Sequence, residues 1–262
     1  MRALNIAATG MSAQQLNVEV ISNNISNLNT TGYKQRKANF EDLLYQNINK
    51  EIGVNTTQAG DQSPVGLQIG LGVKTSGITR NTEQGPLVQT QSTFDLAIQG
   101  RGFFQVTDAN GNIFYTRAGN FQTNGDGVIV SQQGFEVDPT ITIPENVREV
   151  TISPEGEVFA SFDDDSAPTS LGRLTLVNFV NEAGLRPEGN NLLTETEASG
   201  TPIVSNPGED GFGSLEQGFL ENSNVDAVLE ITNLISAQRV YELNSRVIRS
   251  ADEMLNAVNQ IR

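Results

Sequence analysis

Histidine, cysteine and tryptophan are all absent from this 262-residue chain. Without cysteine there can be no disulfide framework and no Cys-ligated zinc site. Without histidine the commonest general base, the commonest metal ligand and every Ser-His or Cys-His nucleophile pair are gone. Paired carboxylates or a lysine could still catalyse, but the checklist for an active site starts nearly empty, and no enzyme is expected. Basic residues are also scarce, 16 against 31 acidic ones for a net charge of −15. Affinity for phosphate backbones comes from clustered Lys and Arg, so a nucleic-acid binder is excluded. The imbalance is uneven: residues 1–50 hold five basic and three acidic residues. No run approaches the ~18 apolar residues of a membrane span, so no membrane insertion is expected. The opening Met1–Gly10 lacks a continuous apolar core and reads as the start of an amphipathic helix. Export, if it occurs, is expected to proceed without a cleaved secretory signal.

What is present is a heptad pattern at each end. Leu4, Met11, Val18 and Ile25 lie seven apart, with Ala7, Ile21 and Leu28 in an offset row broken by Gln14. This spacing predicts a helix over 4–28 with a coiled-coil-like seam. Asn27, Asn29 and Thr30-Thr31-Gly32 supply its stop signal. At the other end Leu234, Tyr241, Ile248 and Leu255 form one row, and Val240, Val247, Met254 and Ile261 form another beside it. Ala237, Ala251 and Val258 complete the stripe, and Ser223 with Asp226 resembles a capping box opening a helix over Val225–Ile261. Such a helix would reach roughly 55 Å, longer than a compact domain needs. One reading packs two amphipathic helices on the chain's own core. The other, preferred here, sends the stripes to other copies in a self-assembling polymer. Asn23, Asn24 and Asn27 carry amides on faces that include the apolar row, where buried amides fix register; for Asn27 and Asn29 plain capping serves equally well.

The middle reads as β. Asp95–Gln99, Gly102–Thr107, Ile113–Arg117 and Val128–Val130 are short runs rich in β-branched and aromatic residues, punctuated by Asn110-Gly111 and Asn124–Gly127. Further strands are expected at Glu149–Ile152, Glu157–Phe162 and Arg173–Phe179. Gln46–Gly66 shows neither period and reads as a linker or extended arm. Glu182–Gly213, rich in Gly, Pro and acid, reads as a segment returning the chain to the second helix. The expected class is therefore α+β, with long N- and C-terminal α-helices forming a coiled-coil-like polymer core and a mostly antiparallel β central domain. The expected divisions are 1–45, 46–66, 67–222 with its compact part at 85–200, and 223–262.

Motifs of site chemistry fail on inspection. Asp108–Asn112 has three calcium-loop spacings, but Ile113 stands where Gly is needed and Gly119 where Glu is needed, so a hairpin turn is expected. Asp163-Asp164-Asp165 is contiguous, and its side chains diverge from any one ion. Gly100-Arg101-Gly102 begins like a dinucleotide fingerprint but leads into a strand, which makes it a tight turn. No catalytic, cofactor or metal residue is assigned.

The segment Ser22–Lys34, with its Asn23-Asn24-Ile25-Ser26-Asn27 core, closely resembles the N-terminal signature of the bacterial flagellar rod and hook proteins. The resemblance runs on through Phe40–Gln46, Gly66–Val73, Asp95–Val106, Tyr115–Phe121, Gly218–Val225 and Ile235–Ser245, and is greatest to the distal-rod members of that axial family; Thr151–Glu197 matches only loosely. It implies a structural subunit of the distal rod, a helical homopolymer lined by the terminal helices and acting as a torque-transmitting shaft in the basal body across the periplasm. The implied partners are other copies of itself, proximal rod proteins, hook or hook-junction proteins, the surrounding envelope rings and the flagellar export apparatus. The alternatives are a proximal rod subunit, a non-flagellar surface appendage, or a cell-wall-binding protein, the last disfavoured by the lack of Trp and 6% aromatic content.

Overall fold

The computed structural model describes residues 2–47, 55–56, 62–63, 68–162 and 167–260. Most of the Gln46–Gly66 arm, the Asp163–Asp165 run and Ile261 lie outside them. The chain divides into two compact units: one contains 1–25, 36–79 and 227–262, the other 26–35 and 80–226. The central unit is thus an insertion, and the first unit is built from both ends of the sequence.

In the first unit, α1 spans Arg2–Ser26 and α2 spans Ala227–Gln260. The expected first helix stops two residues early because the Asn27 carbonyl accepts from Thr30 N–H at 3.2 Å in a turn. The Ser223 hydroxyl accepts from Val225 N–H at 3.3 Å, and the helix begins only after Asp226. Between the helices, Arg36–Asp42 pairs with Val73–Arg80, Tyr45–Asn47 with Gln68–Gly70, and Asn55–Thr56 with Gln62–Ser63. Among the described residues these three pairings are nested one within another.

The central unit is antiparallel β. A seven-stranded sheet runs in the order Phe121–Thr123, Ile129–Ser131, Glu136–Asp138, Phe104–Thr107, Ile113–Thr116, Leu192–Thr194, Arg186–Gly189. A three-stranded sheet comprises Val147–Ile152, Glu157–Phe162 and Thr169–Arg173. Phe103 and Phe104 show how the core divides. Successive residues of a strand point to opposite faces, so Phe104 enters the main core with Leu96, Ile98 and Phe121, while Phe103 joins a second cluster with Tyr115, Val177, Phe179 and Leu185. The Asp108–Asn112 segment is the expected hairpin turn, with Gly111 N–H donating to Asp108 O at 2.8 Å.

Two expectations are corrected here. The run 173–179 is not one strand: Leu174 turns into the main core, its N–H donating to Gly156 O at 2.8 Å, and the chain changes sheets before Leu176–Asn178. Nor is 182–213 merely a return segment. Asn190 and Asn191 both adopt positive φ, 51° and 61°, and the turn they make joins two strands of the large sheet. Asn tolerates that region, so the pair can make a tight hairpin turn, as Asn-Gly does elsewhere.

Candidate assembly interface

Two contacts fix how α1 and α2 meet. The Asn24 amide donates to Glu230 Oε2 at 3.1 Å. A Cβ added to Gly10 would stand 2.9 Å from Asn244 Nδ2. Each pair is separated from the other by 14 residues on both helices, about 21 Å of rise, and the order is reversed. The helices therefore run side by side and antiparallel, and α1 and α2 of one chain meet each other at these two points.

Asn24 is the pivot of this unit. Its Nδ2 also donates to Arg36 O at 2.8 Å, and its Oδ1 accepts from Arg36 N–H at 2.9 Å. The side chain thus pairs with a backbone unit as a neighbouring strand would. Both Asn24 and Glu230 are almost fully buried, at 1% and 2% exposure. Glu230 lies in the first turn of α2, where the helix dipole favours a negative charge. Asn23 is exposed, and Asn27 Oδ1 accepts from the Thr30 hydroxyl at 3.2 Å.

The other residues of the pattern separate by face. On α1, Ile21 is buried and Leu4, Met11, Val18 and Ile25 are half-buried. On α2, buried Glu230, Ala237 and Ala251 alternate at spacings of three and four with Leu234, Asn244, Ile248 and Leu255, all half-buried, and with Tyr241. The second row is open: Val240, Leu243, Val247 and Met254 are between 37% and 63% exposed. They follow one another at spacings of three, four and seven, which on a 3.6-residue helix makes a single apolar stripe beside the α1-facing one. Leu243 was not singled out by the heptad rows. The side chain of Val258 falls outside the described residues.

In the central unit a second set of residues, unassigned in the sequence reading, joins distant segments. Glu221, 1% exposed, receives Lys34 Nζ on Oε1 at 2.6 Å and Arg117 Nε on Oε2 at 2.5 Å. Oε1 also accepts from Gly85 N–H at 2.9 Å. Arg117 donates further to the carbonyls of Ile98 at 2.9 Å, Gly100 at 2.5 Å and Gly102 at 2.5 Å, and Lys34 to that of Glu83 at 2.8 Å. The segment 26–35 is thereby held to the rest of the central unit. Gly32 fits closely within the same unit: its N–H donates to Glu221 O at 2.8 Å, and at φ 69° an added Cβ would stand 2.9 Å from Ala118 N.

Burial pushes the Glu221 carboxyl up, but Arg117 and Lys34 outweigh it and hold the group below the ordinary carboxylate range. Burial pulls the Lys34 ammonium below the usual lysine range, and Glu221 offsets only part of that. A carboxyl depressed on folding contributes stability that is full above its unfolded pKa and is lost as pH falls through the folded one. The central unit is thus expected to lose melting temperature below about pH 4. Thermal unfolding between pH 2 and 7 checks this, and Glu221→Gln should flatten the dependence.

Three family models match the chain: the flagella basal body rod protein over residues 4–34, the flagellar hook protein FlgE/F/G D1 domain over 97–160, and the flagellar basal body rod FlgEFG protein C-terminal region over 216–261. The flagellar basal-body rod protein FlgG of Caulobacter vibrioides is 52% identical over 262 residues, covering 100% of both chains. Those of Agrobacterium fabrum and Bacillus subtilis are 50% and 36% identical, each over at least 99% of both chains.

Proposed function

We infer, because the chain belongs to the flagellar basal-body rod protein family, that its helical unit builds the polymer and its central unit is what each subunit carries on it. The protein is a structural subunit of the bacterial flagellar distal rod and resides in the flagellar basal body. Copies assemble into a helical tube whose terminal helices pack coiled-coil-like, and the tube passes torque to the hook as a shaft. Proximal rod proteins lie at one end, hook or hook-junction proteins at the other, envelope rings surround the tube, and the flagellar export apparatus delivers the subunits. The role is mechanical, with no catalytic step.

The open stripe Val240, Leu243, Val247 and Met254 supports this reading. Apolar side chains in one row are costly to leave in water, and the intrachain partner α1 occupies the neighbouring face. Val247→Glu tests it. Sealed in a seam, an unpaired carboxylate costs several kcal/mol, and the cost recurs at every subunit. In the free subunit the position is solvated, so thermal unfolding should stay within about 0.5 kcal/mol of the parent. The variant should therefore fold but fail to enter basal bodies or support swimming, whereas Glu242→Lys, on another side of α2, should do both. Normal rods built from Val247→Glu would refute the assignment of this stripe to assembly.

A further inference from the structure

The sequence leaves few side chains that a peroxide readily oxidises. Cysteine, histidine and tryptophan are absent, and three methionines remain, Met1, Met11 and Met254. Met1 lies outside the described residues. Met11, on α1, is half-buried, whereas Met254, on α2, is 63% exposed. Thioether oxidation follows exposure, so the two are unequal targets.

Met254 stands seven residues beyond Val247, at the end of the open row that begins at Val240 and Leu243. The other three members of the row are plain hydrocarbons, which leaves Met254 as its one oxidisable point. An unbranched thioether suits a seam between helices, where it fills irregular gaps. Oxidation turns it into a polar sulfoxide, and a dry seam would have to bury the new oxygen away from water. In the free subunit that oxygen is hydrated, so the fold of the molecule is left as it was.

We propose that Met254 is an oxidation site through which peroxide withdraws free subunits from assembly. The proposal rests on the reading of the stripe given above and adds a modification to it. The sulfur lone pair attacks one peroxide oxygen, the O–O bond breaks, and the other oxygen leaves as water after proton transfer. Sulfur is oxidised by two electrons and the peroxide is reduced by two. A methionine sulfoxide reductase reverses the change, two thiols becoming a disulfide while the oxygen departs as water. Once the stripe is covered in the polymer the sulfur is out of reach, so only subunits still to be built in respond.

Hydrogen peroxide treatment of the full-length chain, followed by peptide mass spectrometry, reads the site. In free subunits Met254 should gain oxygen about threefold faster than Met11 or more, with α-helical circular dichroism unchanged, and about tenfold faster than in purified basal bodies. Glutamine, a good helix former whose amide carbonyl stands in for the sulfoxide, carries the question into cells that make only the variant. Met254→Gln should lower the number of complete rods about fivefold or more, whereas Met254→Leu, which keeps the volume and stays apolar, should match the parent. Met254 oxidised no faster than Met11, or rods built normally from Met254→Gln where Val247→Glu builds none, would overturn this proposal and leave the stripe assigned to assembly. Equal oxidation of Met254 in free subunits and in basal bodies would instead overturn the assignment of the stripe.

Discussion

Asn24→Asp is expected to unfold the helical unit while the central unit stays folded. The change is nearly isosteric and preserves the acceptor for Arg36 N–H, but it removes both donations from Nδ2. Arg36 O loses its partner from this side chain, and a second carboxylate is placed where an amide stood 3.1 Å from Glu230. A buried group stripped of its hydrogen bond costs about 1–3 kcal/mol, and the like-charge contact adds to that, for a total of about 4 kcal/mol or more. Asn24→Ala removes the hydrogen bonds without the repulsion, and should cost less. Loss of α-helical circular dichroism in urea reads both. An aspartate variant as stable as the alanine variant at neutral pH would show that the Glu230 contact carries no weight.

Glu221→Ala should have an effect of similar size on the other unit. It leaves Arg117 and Lys34 as two buried cations without their shared anion, and removes an acceptor from Gly85 N–H. Breaking a buried ion pair by deleting one partner costs about 3–5 kcal/mol, more than the pair itself contributes relative to apolar residues. Replacing all three by apolar residues of similar volume should therefore be far milder than the single change. Arg117 cannot shed its charge, whereas Lys34, already depressed by burial, can. The Glu221→Ala protein should accordingly regain stability between neutral pH and pH 10 as Lys34 deprotonates, which thermal unfolding in that range would detect.

The helices were legible because hydrophobic period is a local signal. Which row of α2 is covered was not, since the period defines faces without saying what covers them: Leu234 and Ile248 are half-buried and Val240 and Val247 exposed. Asn24 stood out in its motif, but its role depends on Arg36 twelve positions later and Glu230, 206 positions later. The ion cluster shows the same barrier. Lys34, Arg117 and Glu221 each sit in a segment quoted for the family resemblance, yet 187 and 104 positions separate the two cations from the carboxylate. Nothing local distinguishes an acid that will be buried among cations from one left in water. The strands of 186–194 were missed for a different reason, because Pro187 and an Asn-Asn turn mimic the composition of a loop.

The antiparallel pairing of α1 with α2 sets a schedule for the chain as well as a shape. Every stretch of the central unit can find its partners while α2 is still arriving, but the contact of Asn24 with Glu230 must wait for a segment 206 positions away. Closing so wide a loop through a disordered chain is slow; closing it after the insert has folded is much faster, because the insert has already brought the two ends together. The helical unit of each molecule is thereby the last to mature, and a chain cut short before α2 is left with no finished helix pair.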